Sequence, residues 1–263
     1  DTPKPTFRHE EYDKYKAHRK PAPDALIEQG PVARELIEAF GIPVVEAPGY
    51  EADDIIGAMA KEAEARGIDT IIVTGDLDSL QLVNDHVTVM TTVKGVSDTV
   101  MYDAEAVRAR FGLDPEQMVD YKGLKGDPSD NIPGVPGIGD KTAVDLLKQF
   151  GTVENLYEHL SDLPEGKIKK TLEENADIAK LSKRLATIVT KLPVNIDPED
   201  YRAKQPDYDT LRDLFVRLEF KTMLKRLPEV GKAEGKAGAE DRQTLGKCRR
   251  IDSDAELRDL ISS

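Results

Sequence analysis

Apolar side chains in the first third of the chain follow two different periods. Helical spacing predicts helices over 31–40 and over 55–67, each closed by a glycine. Short apolar runs predict strands at 42–46 and 70–74, and the second run is rich enough in β-branched residues for a strand buried on both faces. The order strand, helix, strand predicts a βαβ unit and therefore a mostly parallel sheet covered by helices.

Two weaker strand patterns and a polar segment complete this region. Residues 86–90 and 98–102 predict further strands. Residues 10–20 are polar with mixed charges, and they precede Pro21 and Pro23, which stop any helix that forms there. This segment predicts an exposed helical arm.

The pattern becomes helical almost throughout after Asp103. Helices are predicted over 104–111, 115–124, 140–150, 153–160, 165–188 and 208–219. The sequence therefore predicts an α/β part followed by an all-helical part. Beyond it, 229–246 predicts a flexible linker, because it is rich in Gly, Ala, Lys and Glu without apolar periodicity. Residues 247–263 then predict a short strand and a capped helix that open another domain.

The composition narrows the class of protein. The chain of 263 residues has 39% hydrophobic residues, which is enough for an ordinary core. Cys248 is the only cysteine, which excludes a disulfide within the chain. No segment has the roughly 18 consecutive apolar residues of a membrane span. The formal net charge of -13 argues against a nucleic-acid partner, unless the acidic side chains bind cations.

Acidic residues cluster at two points on the predicted carboxyl edge of the sheet. Glu51, Asp53 and Asp54 open the second helix, whereas Asp76 and Asp78 follow the second strand. In open parallel sheets this edge is where ligands bind. Each cluster alone also fits a simpler role, because acids complement the dipole at a helix start and cap turns.

A third acidic pair lies in the segment GDPSDNIPG. Asp127 and Asp130 are close enough in sequence to face one point, although Asx turns before Pro128 and Pro133 are the simpler interpretation. With Asp1, these clusters contain eight acids, and such carboxylates repel one another unless a cation neutralises them. Oxygen ligands without His or Cys favour Mg²⁺ or Mn²⁺, and the number of acids favours two ions roughly 4 Å apart, as in enzymes that hydrolyse phosphodiesters.

A glycine-rich loop leads into the helix predicted at 140–150. Gly137 and Gly139 leave backbone N–H groups free at the start of that helix, where they can hold a phosphate. A nucleotide-binding P-loop is excluded because Asp140 stands where that motif requires lysine. A helix-hairpin-helix on a DNA backbone and a plain Schellman-type turn both remain, and the lysines around the loop favour DNA.

Several motifs in the same order resemble one known family. The segments FRHEEYDKYKAHR, GYEADD, TGDLDSLQL, GDPSDNIPGVPGIGDKTA and RLEF together resemble the 5′ nuclease domain at the N-terminus of bacterial DNA polymerase I, which is related to the flap endonucleases. The likeness covers about residues 1 to 228. It implies a PIN-like α/β fold, in which a mostly parallel sheet flanked by helices precedes a helix-hairpin-helix subdomain.

The resemblance also implies the site residues. Lys16 and Arg19 are expected to contact the scissile phosphate as catalytic residues, Tyr15 to stack on a base and Arg8 to hold phosphate. The polar arm is expected to form an arch through which a single-stranded 5′ end passes. Two or three Mg²⁺ or Mn²⁺ ions are expected on Asp1, Glu51, Asp53, Asp54, Asp76, Asp78, Asp127 and Asp130.

DNA and the rest of a longer chain are the implied partners. Gly137, Gly139, Lys141 and Thr142 are expected to bind the downstream duplex of a branched or 5′-flap DNA, with K⁺ bound at the hairpin. Polymerase and exonuclease-like domains are expected in the same full-length chain. That protein is expected to act in the bacterial cytoplasm without a membrane partner.

The resemblance implies domain boundaries as well. A nuclease core with the arch is expected at 1–112, a helical DNA-binding part at 113–228, and the start of the exonuclease-like domain at 247–263, after the linker. The family begins with a strand that carries another ligand aspartate, and Asp1 falls on the second ligand position. The first strand is therefore expected to be missing, and this chain is expected to cleave flaps weakly or not at all, whereas the full-length protein is expected to cleave them.

Two other functions stay open at this stage. The Asp-x-Asp-Ser pattern from Asp76 to Ser79 fits a phosphotransferase with an aspartyl nucleophile. The chain also fits a non-catalytic module that binds branched DNA. A trapped phosphoenzyme would identify the first, and metal-independent DNA binding without cleavage would identify the second.

Overall fold

The computed structural model of the chain describes residues 1–2, 4–94, 98–193 and 196–228. The chain divides into two compact units, Asp1–Asp207 and Tyr208–Ser263. The predicted linker at 229–246 and the predicted domain start at 247–263 lie outside the described residues.

A three-stranded sheet lies in the first unit. Its strands, in spatial as well as chain order, are β1 (Thr70–Val73), β2 (Val87–Lys94) and β3 (Asp98–Tyr102). β1 runs parallel to β2, with Thr70 opposite Val87, and β2 runs antiparallel to β3. Each of these strands was predicted from its apolar run, because β-branched residues favour extended backbone.

Two strand predictions differ from the structure. Residues 42–46 pair with no strand in the described part of the chain, so the βαβ unit predicted from the sequence is not formed there. β1 is buried on one face only, since Ile72 is 4% exposed while Ile71 and Val73 are 60% and 65% exposed. Alternate side chains of a strand point to opposite faces, and only the face that bears Ile72 packs on the core.

Helices make up most of the rest of the described chain. The α-helices are α1 (Phe7–Glu11), α2 (Asp24–Ile27), α3 (Gly30–Ala39), α4 (Ala52–Ala65), α5 (Ala104–Phe111), α6 (Met118–Lys125), α7 (Asp140–Phe150), α8 (Val153–Glu158), α9 (Lys167–Glu174), α10 (Ala176–Ala186), α11 (Tyr208–Arg217) and α12 (Lys221–Leu224). Short 3₁₀ helices occupy Leu77–Leu82, Pro115–Gln117, Leu160–Asp162 and Pro198–Tyr201. Within the described ranges, no helix has both the length and the apolar composition that crossing a membrane requires.

Most of the helix predictions are confirmed, because the apolar period of these segments matches the helix period. The helix predicted at 165–188 is instead the two helices α9 and α10. Asn175 separates them, and its side-chain amide donates to the backbone oxygen of Thr171 at 2.7 Å. The sequence pattern does not predict α2 and α12, which have 4 residues each and are too short to display a period.

The prediction of a helical arm at 10–20 is wrong. α1 covers only the start of this segment, and residues 13–18 form turns. Tyr15 is 3% exposed, and it packs in one apolar cluster with Ile132 and Leu185. Because the Tyr15 ring is buried, the segment 13–18 packs against the rest of the first unit.

One hydrophobic core extends from the sheet into the helices of the first unit. Its fully buried members, all 0% or 1% exposed, include Leu80, Val89, Val107, Leu147 and Leu172. The same core includes residues of α4 and α6. The core therefore packs β1 against α4, which carries Asp53, and against α6, which precedes Asp127.

The second unit is described over residues 208–228. α11 buries Leu211, Leu214 and Phe215, which share one face because they are three or four residues apart. The rings of Phe215 and Phe220 lie with their centroids 6.2 Å apart. The helix predicted at 208–219 is therefore an amphipathic helix, as its sequence pattern indicated.

Candidate functional site

The start of α4 and the loop between α6 and α7 bring Glu51 and Asp130 together. The hydroxyl of Tyr15 donates to Oε2 of Glu51 at 3.0 Å and to Oδ2 of Asp130 at 3.2 Å. The Lys16 ammonium lies 2.8 Å from Oε1 of Glu51, and Nη2 of Arg19 lies 2.5 Å from Oδ1 of Asp130. Glu51 and Asp130 therefore form a first acidic pair, which is buried and neutralised by two cations of the same chain.

Asp78 and Asp127 form a second acidic pair. Both carboxylates accept hydrogen bonds from the ammonium of Lys122, with 2.6 Å between Nζ and Oδ2 of Asp127. Burial raises the pKa of Asp78 to about 6, and the charges of Asp76 and Asp127 add to this rise while Lys122 opposes it. Burial also acts on Asp127, but hydrogen bonds from Lys122 and Ser129 lower its pKa to about 2.

The turn at 127–130 connects the two acidic pairs, because the N–H of Asp130 donates to the backbone oxygen of Asp127 at 3.3 Å. Burial raises the pKa of Asp53, and the charges of Asp76 and Glu51 raise it further. The charge of Asp76 also raises the pKa of Asp78. The structure therefore brings together the predicted ligands Glu51, Asp78, Asp127 and Asp130, and the predicted ligands Asp53 and Asp76 lie in the segments that carry Glu51 and Asp78.

Local backbone turns orient these acids. Glu51 is extended immediately before α4. Oδ1 of Asp76 accepts the N–H of Asp78 at 2.9 Å. Oδ1 of Asp127 accepts the N–H and the hydroxyl of Ser129 at 2.8 Å and 2.6 Å. Asp76 and Asp127 are therefore turn residues as well as members of the acidic group, as the simpler interpretation of each cluster held.

Asp1 lies at the same end of α4. Its Oδ1 accepts a hydrogen bond from the backbone N–H of Ala52 at 2.6 Å. A carboxylate at a helix N-terminus interacts favourably with the unpaired N–H groups there. The side chain is exposed. Asp1 is thus adjacent to Glu51 in space, through the first residue of the helix.

Tyr15, Lys16 and Arg19 contact carboxylates, which differs from the contacts predicted for them. Lys16 has φ of 52°, and its N–H donates to the backbone oxygen of Asp130 at 2.9 Å, so a turn directs its ammonium to Glu51. The predicted stacking of Tyr15 on a base does not match its burial. Burial and the charges of Glu51 and Asp130 raise the pKa of the Tyr15 hydroxyl, which therefore stays protonated and donates.

Arg8 and Asp54 form a buried ion pair. Nη1 and Nη2 of Arg8 each lie 2.8 Å from one carboxylate oxygen of Asp54. Arg8 is 2% exposed and Asp54 is 0% exposed. Burial disfavours the charged form of Asp54, but the hydrogen bonds and charge of Arg8 lower its pKa. The predictions that Arg8 holds phosphate and that Asp54 binds metal do not match these contacts.

The glycine loop precedes α7 as the sequence predicted. Gly137 has φ of 78°, in the left-handed region that favours glycine. At Gly137 and Gly139 no atom lies within 4 Å of the position that a Cβ would take, so the loop is open to a ligand. Lys141 is exposed and Thr142 partly exposed in the first turn of α7. These four residues form an accessible helix start.

Lys122 is a site residue that the sequence analysis does not identify as one. In the sequence, Lys122 is one of several lysines near the glycine loop. Its side chain is 15% exposed, and its neighbours Gly123 and Leu124 are buried. A lysine among buried positions of a helix needs a carboxylate partner, and that is the signal that could have indicated its role.

The acidic group is charge-compensated by lysine and arginine. Across the described residues, no set of three or more His, Cys, Asp or Glu side chains is arranged around a metal position. The ammonium of Lys122 and that of Lys16 lie between carboxylates instead. The donor atoms are all carboxylate oxygens, which are the ligands of hard divalent ions. The donor chemistry therefore fits Mg²⁺ or Mn²⁺, although the side chains are in an ion-paired arrangement.

Comparisons with known sequences identify similar proteins along most of the chain. Residues 1–112 match "5'-3' exonuclease, N-terminal resolvase-like domain", and residues 113–209 match "5'-3' exonuclease, C-terminal SAM fold". The chain is 46% identical over 245 residues to DNA polymerase I of Bacillus caldotenax, and 44% identical over 245 residues to that of Bacillus subtilis (strain 168). These alignments cover 93% of this chain but only 28% and 27% of the polymerases. The resemblance predicted from the motifs is confirmed.

Solved structures share the fold. A mutant of T5 5'-exonuclease has a TM-score of 0.61 at 21% identity, over 84% of this chain and 80% of that one. T5 5'-exonuclease with bound divalent metal ions (zinc) has a TM-score of 0.59 at 23% identity, over 86% and 81%. The catalytic core of Rad2 in complex with DNA substrate has a TM-score of 0.57 at 22% identity, over 86% and 77%. With the family matches, these likenesses confirm the predicted fold class.

Proposed function

Because the chain belongs to the 5′-3′ exonuclease family, we propose that it is the 5′ nuclease part of a bacterial DNA polymerase I. It hydrolyses phosphodiesters at 5′ flaps and 5′ ends of branched DNA, during replication and repair in the bacterial cytoplasm. Residues 1–112 form the nuclease core and 113–228 bind DNA. The single observation that supports this function is the convergence of carboxylates from 51–53, 76–78 and 127–130 at one end of β1.

The proposed cofactors are two or three Mg²⁺ or Mn²⁺ ions. When bound, such ions activate a water molecule and neutralise charge on the leaving oxygen. For ions to bind there, Lys122 would have to leave Asp78 and Asp127, and Lys16 would have to leave Glu51, because an ammonium and a metal ion compete for the same oxygens. The residues that would hold the ions are Glu51, Asp53, Asp76, Asp78, Asp127 and Asp130, with Asp1 beside them at the start of α4.

Lys16 and Arg19 are the proposed catalytic cations. Both lie on carboxylates of the first acidic pair, so they are already within the site. Once released from Glu51 and Asp130, the ammonium and the guanidinium donate to the oxygens of the scissile phosphate. Charge-assisted bonds of this kind stabilise the negative charge of a phosphoryl transition state.

The glycine loop is the proposed contact with downstream duplex DNA. Gly137 and Gly139 leave the start of α7 open, so backbone N–H groups can approach a phosphate there. Lys141 and Thr142 add a charge and a hydroxyl in the same turn, and K⁺ is the proposed additional ligand of the loop. Contacts to phosphates alone fix position without reading sequence, which suits a nuclease that recognises DNA structure.

Substitution of Asp76 by Asn tests this function. Asp76 is exposed at the carboxyl end of β1 and bonds within its own turn. In the full-length protein, Asp76→Asn is expected to reduce cleavage of a labelled 5′-flap duplex with Mg²⁺ by at least about 100-fold, because an amide is a poor ligand and carries no charge. Binding of the same DNA in EDTA is expected to persist.

An exposed aspartate outside the acidic group provides the matched control. Asp85 precedes β2 and is exposed. Asp85→Asn changes the formal charge by the same amount, and cleavage is expected to remain at the wild-type rate. Full cleavage by Asp76→Asn would contradict the assignment of the site, whether Asp85→Asn loses activity or keeps it.

Metal-independent binding of branched DNA is a second candidate function for this chain. The observation that favours it is the ion-paired state of both acidic pairs, in which cations of the chain occupy the carboxylates. Binding with EDTA, without cleavage in Mg²⁺ or Mn²⁺, would select it. The phosphotransferase alternative has less support, since Ser79 of the Asp-x-Asp-Ser pattern is 0% exposed.

A further inference from the structure

All three guanidinium nitrogens of Arg8 donate hydrogen bonds within the protein. Nη1 and Nη2 donate to the two carboxylate oxygens of Asp54 at 2.8 Å each. Nη2 also donates to the backbone oxygen of Thr187 at 2.7 Å, and Nε donates to that of Leu185 at 2.9 Å. Arg8 is 2% exposed. A phosphate could reach this charge only if these hydrogen bonds broke.

Asp54 is equally saturated. Besides the two bonds from Arg8, its Oδ1 accepts the N–H of Val189 at 2.8 Å, and its Oδ2 accepts the N–H of Glu51 at 3.0 Å. Each carboxylate oxygen therefore has two donors, which use the lone pairs that a metal ion would need. The residue is 0% exposed. A metal ion would have to displace both the arginine and the backbone to reach it.

The ion pair holds the backbone that carries Glu51. The bond from the Glu51 N–H to Asp54 keeps residue 51 extended in front of α4, as the reciprocal bond of a helix start does. Nη1 of Arg8 lies 3.6 Å from Oε2 of Glu51. If Asp54 lost its charge, Arg8 could therefore move onto Glu51 and occupy that carboxylate. The partner of Arg8 thus determines whether Glu51 is available to the site.

Asp53 has the opposite environment, although it is the adjacent residue. It is partly exposed, whereas Asp54 is fully buried. Successive side chains of a helix point about 100° apart, so Asp53 and Asp54 face different directions. Of the two aspartates in GYEADD, Asp54 is the one whose carboxylate oxygens are occupied by Arg8 and the backbone.

We infer that Arg8 and Asp54 are positioning residues whose buried ion pair keeps Glu51 available to the metal centre, and that neither residue contacts metal or DNA. The inference rests on the proposed function. It gives both residues a role other than the ligand roles that the family motif implies for them.

Mn²⁺ binding by calorimetry tests the inference on the chain itself. The variants are Asp54→Asn and the double variant Arg8→Met with Asp54→Asn, each measured below its own unfolding temperature. In Asp54→Asn the buried guanidinium lacks its partner and competes for Glu51, so Mn²⁺ affinity is expected to fall about tenfold. The double variant has no competing charge, and its affinity is expected to return to within about threefold of wild type.

The outcomes are distinct. Recovery in the double variant supports the inference, because a second substitution cannot restore a lost metal ligand. Equal losses in the single and double variants would make Asp54 a ligand and overturn it. A lower unfolding temperature for Asp54→Asn with unchanged Mn²⁺ affinity would make the pair purely structural, and would also overturn it. If Asp54→Asn does not fold, intact affinity of the double variant supports the inference and a tenfold loss overturns it.

Asp76→Asn in the same assay separates this inference from the proposed function. Unchanged Mn²⁺ binding in Asp76→Asn would mean that the acidic group is not the metal centre, and the proposed function would fail. Reduced binding in Asp76→Asn, together with an unrecovered loss in the double variant, would overturn the role of Arg8 and Asp54 alone.

Discussion

Lys122 donates to Oδ2 of Asp127 across 2.6 Å, and the same ammonium contacts Asp78. The Lys122 side chain is 15% exposed, so one positive charge lies largely buried between two negative ones. Two carboxylates that contact the same ammonium repel each other strongly when that cation is removed. The stability of the metal-free chain and its affinity for a divalent ion are therefore coupled through this lysine.

Removing that cation is expected to weaken the metal-free fold. Lys122→Met keeps the length of the side chain but leaves Asp78 and Asp127 unpaired, and the free energy of unfolding in EDTA is expected to fall by about 3 kcal/mol. Mg²⁺ is expected to restore more stability in the variant than in the wild type, since no ammonium competes with it. Urea unfolding with and without Mg²⁺ measures both quantities.

Lys180→Met is the control for this experiment. Lys180 is exposed on α10, the helix that packs beside α6. Its substitution removes the same charge, and a change within about 0.5 kcal/mol is expected at an exposed position. Equal effects of the two substitutions, or no added Mg²⁺ stabilisation in Lys122→Met, would contradict the coupling.

The hydroxyl of Tyr15 is expected to contribute to stability. Tyr15→Phe removes the donor shared by Glu51 and Asp130, and the free energy of unfolding is expected to fall by about 2 kcal/mol. Tyr157→Phe is the matched control. Burial raises the pKa of Tyr157 to about 12, and among the described residues its hydroxyl has no hydrogen-bond partner. Its removal is expected to be neutral, or stabilising by up to about 1 kcal/mol. A larger loss of unfolding free energy in Tyr157→Phe than in Tyr15→Phe would refute the prediction.

His86 is expected to titrate above its ordinary value. Its Nδ1 lies 2.9 Å from Oδ1 of Asp69, and this hydrogen bond raises the pKa of His86 above 6.5. The interaction therefore stabilises the fold fully below the unfolded-state pKa, and this contribution is lost as the pH rises through the folded-state pKa. The pKa of His86 measured by NMR titration is expected to fall in Asp69→Asn, while the charges of Glu64 and Asp85 continue to raise it. An unchanged titration in that variant would exclude the pairing.

Two glycines of the loop before α7 are expected to respond differently to alanine. Gly134 has φ of 62°, and a Cβ there would lie 2.2 Å from the backbone nitrogen of Gly126. Gly134→Ala is therefore expected to cost about 3 kcal/mol of stability from strain and overlap. At Gly139 the φ is -100° and the space is open, so Gly139→Ala is expected to change stability by less than about 0.5 kcal/mol.

Gly139→Ala also tests the proposed contact with DNA. The added methyl group lies where the backbone is proposed to approach a phosphate, so the affinity for a labelled duplex is expected to fall several-fold in fluorescence anisotropy. Thermal unfolding of the same variant provides the control for stability. Unchanged DNA affinity with an intact fold would remove Gly139 from the proposed interface.

Local pattern was sufficient to predict most elements of the first unit. The apolar periods of α3, α4, α5 and α7 are properties of neighbouring residues, and tertiary packing preserved them. The prediction at 42–46 is wrong because a strand needs a hydrogen-bonded partner, which no local pattern specifies. The prediction of a helical arm at 10–20 is wrong for a similar reason. Tyr15 is buried among side chains that are distant in the sequence, and turns replace the predicted helix.

The sequence alone located the candidate acids along the chain, because their motifs and their positions after a strand or before a helix are local features, but it did not separate Asp54 from the others. Only the tertiary structure decided what each acid contacts. Arg8 reaches Asp54 across 46 residues of chain and Leu185 across 177, and Lys122 reaches Asp78 across 44. Pairings at such separations depend on how helices and strands pack, and a buried charge takes whichever partner that packing places within hydrogen-bond distance.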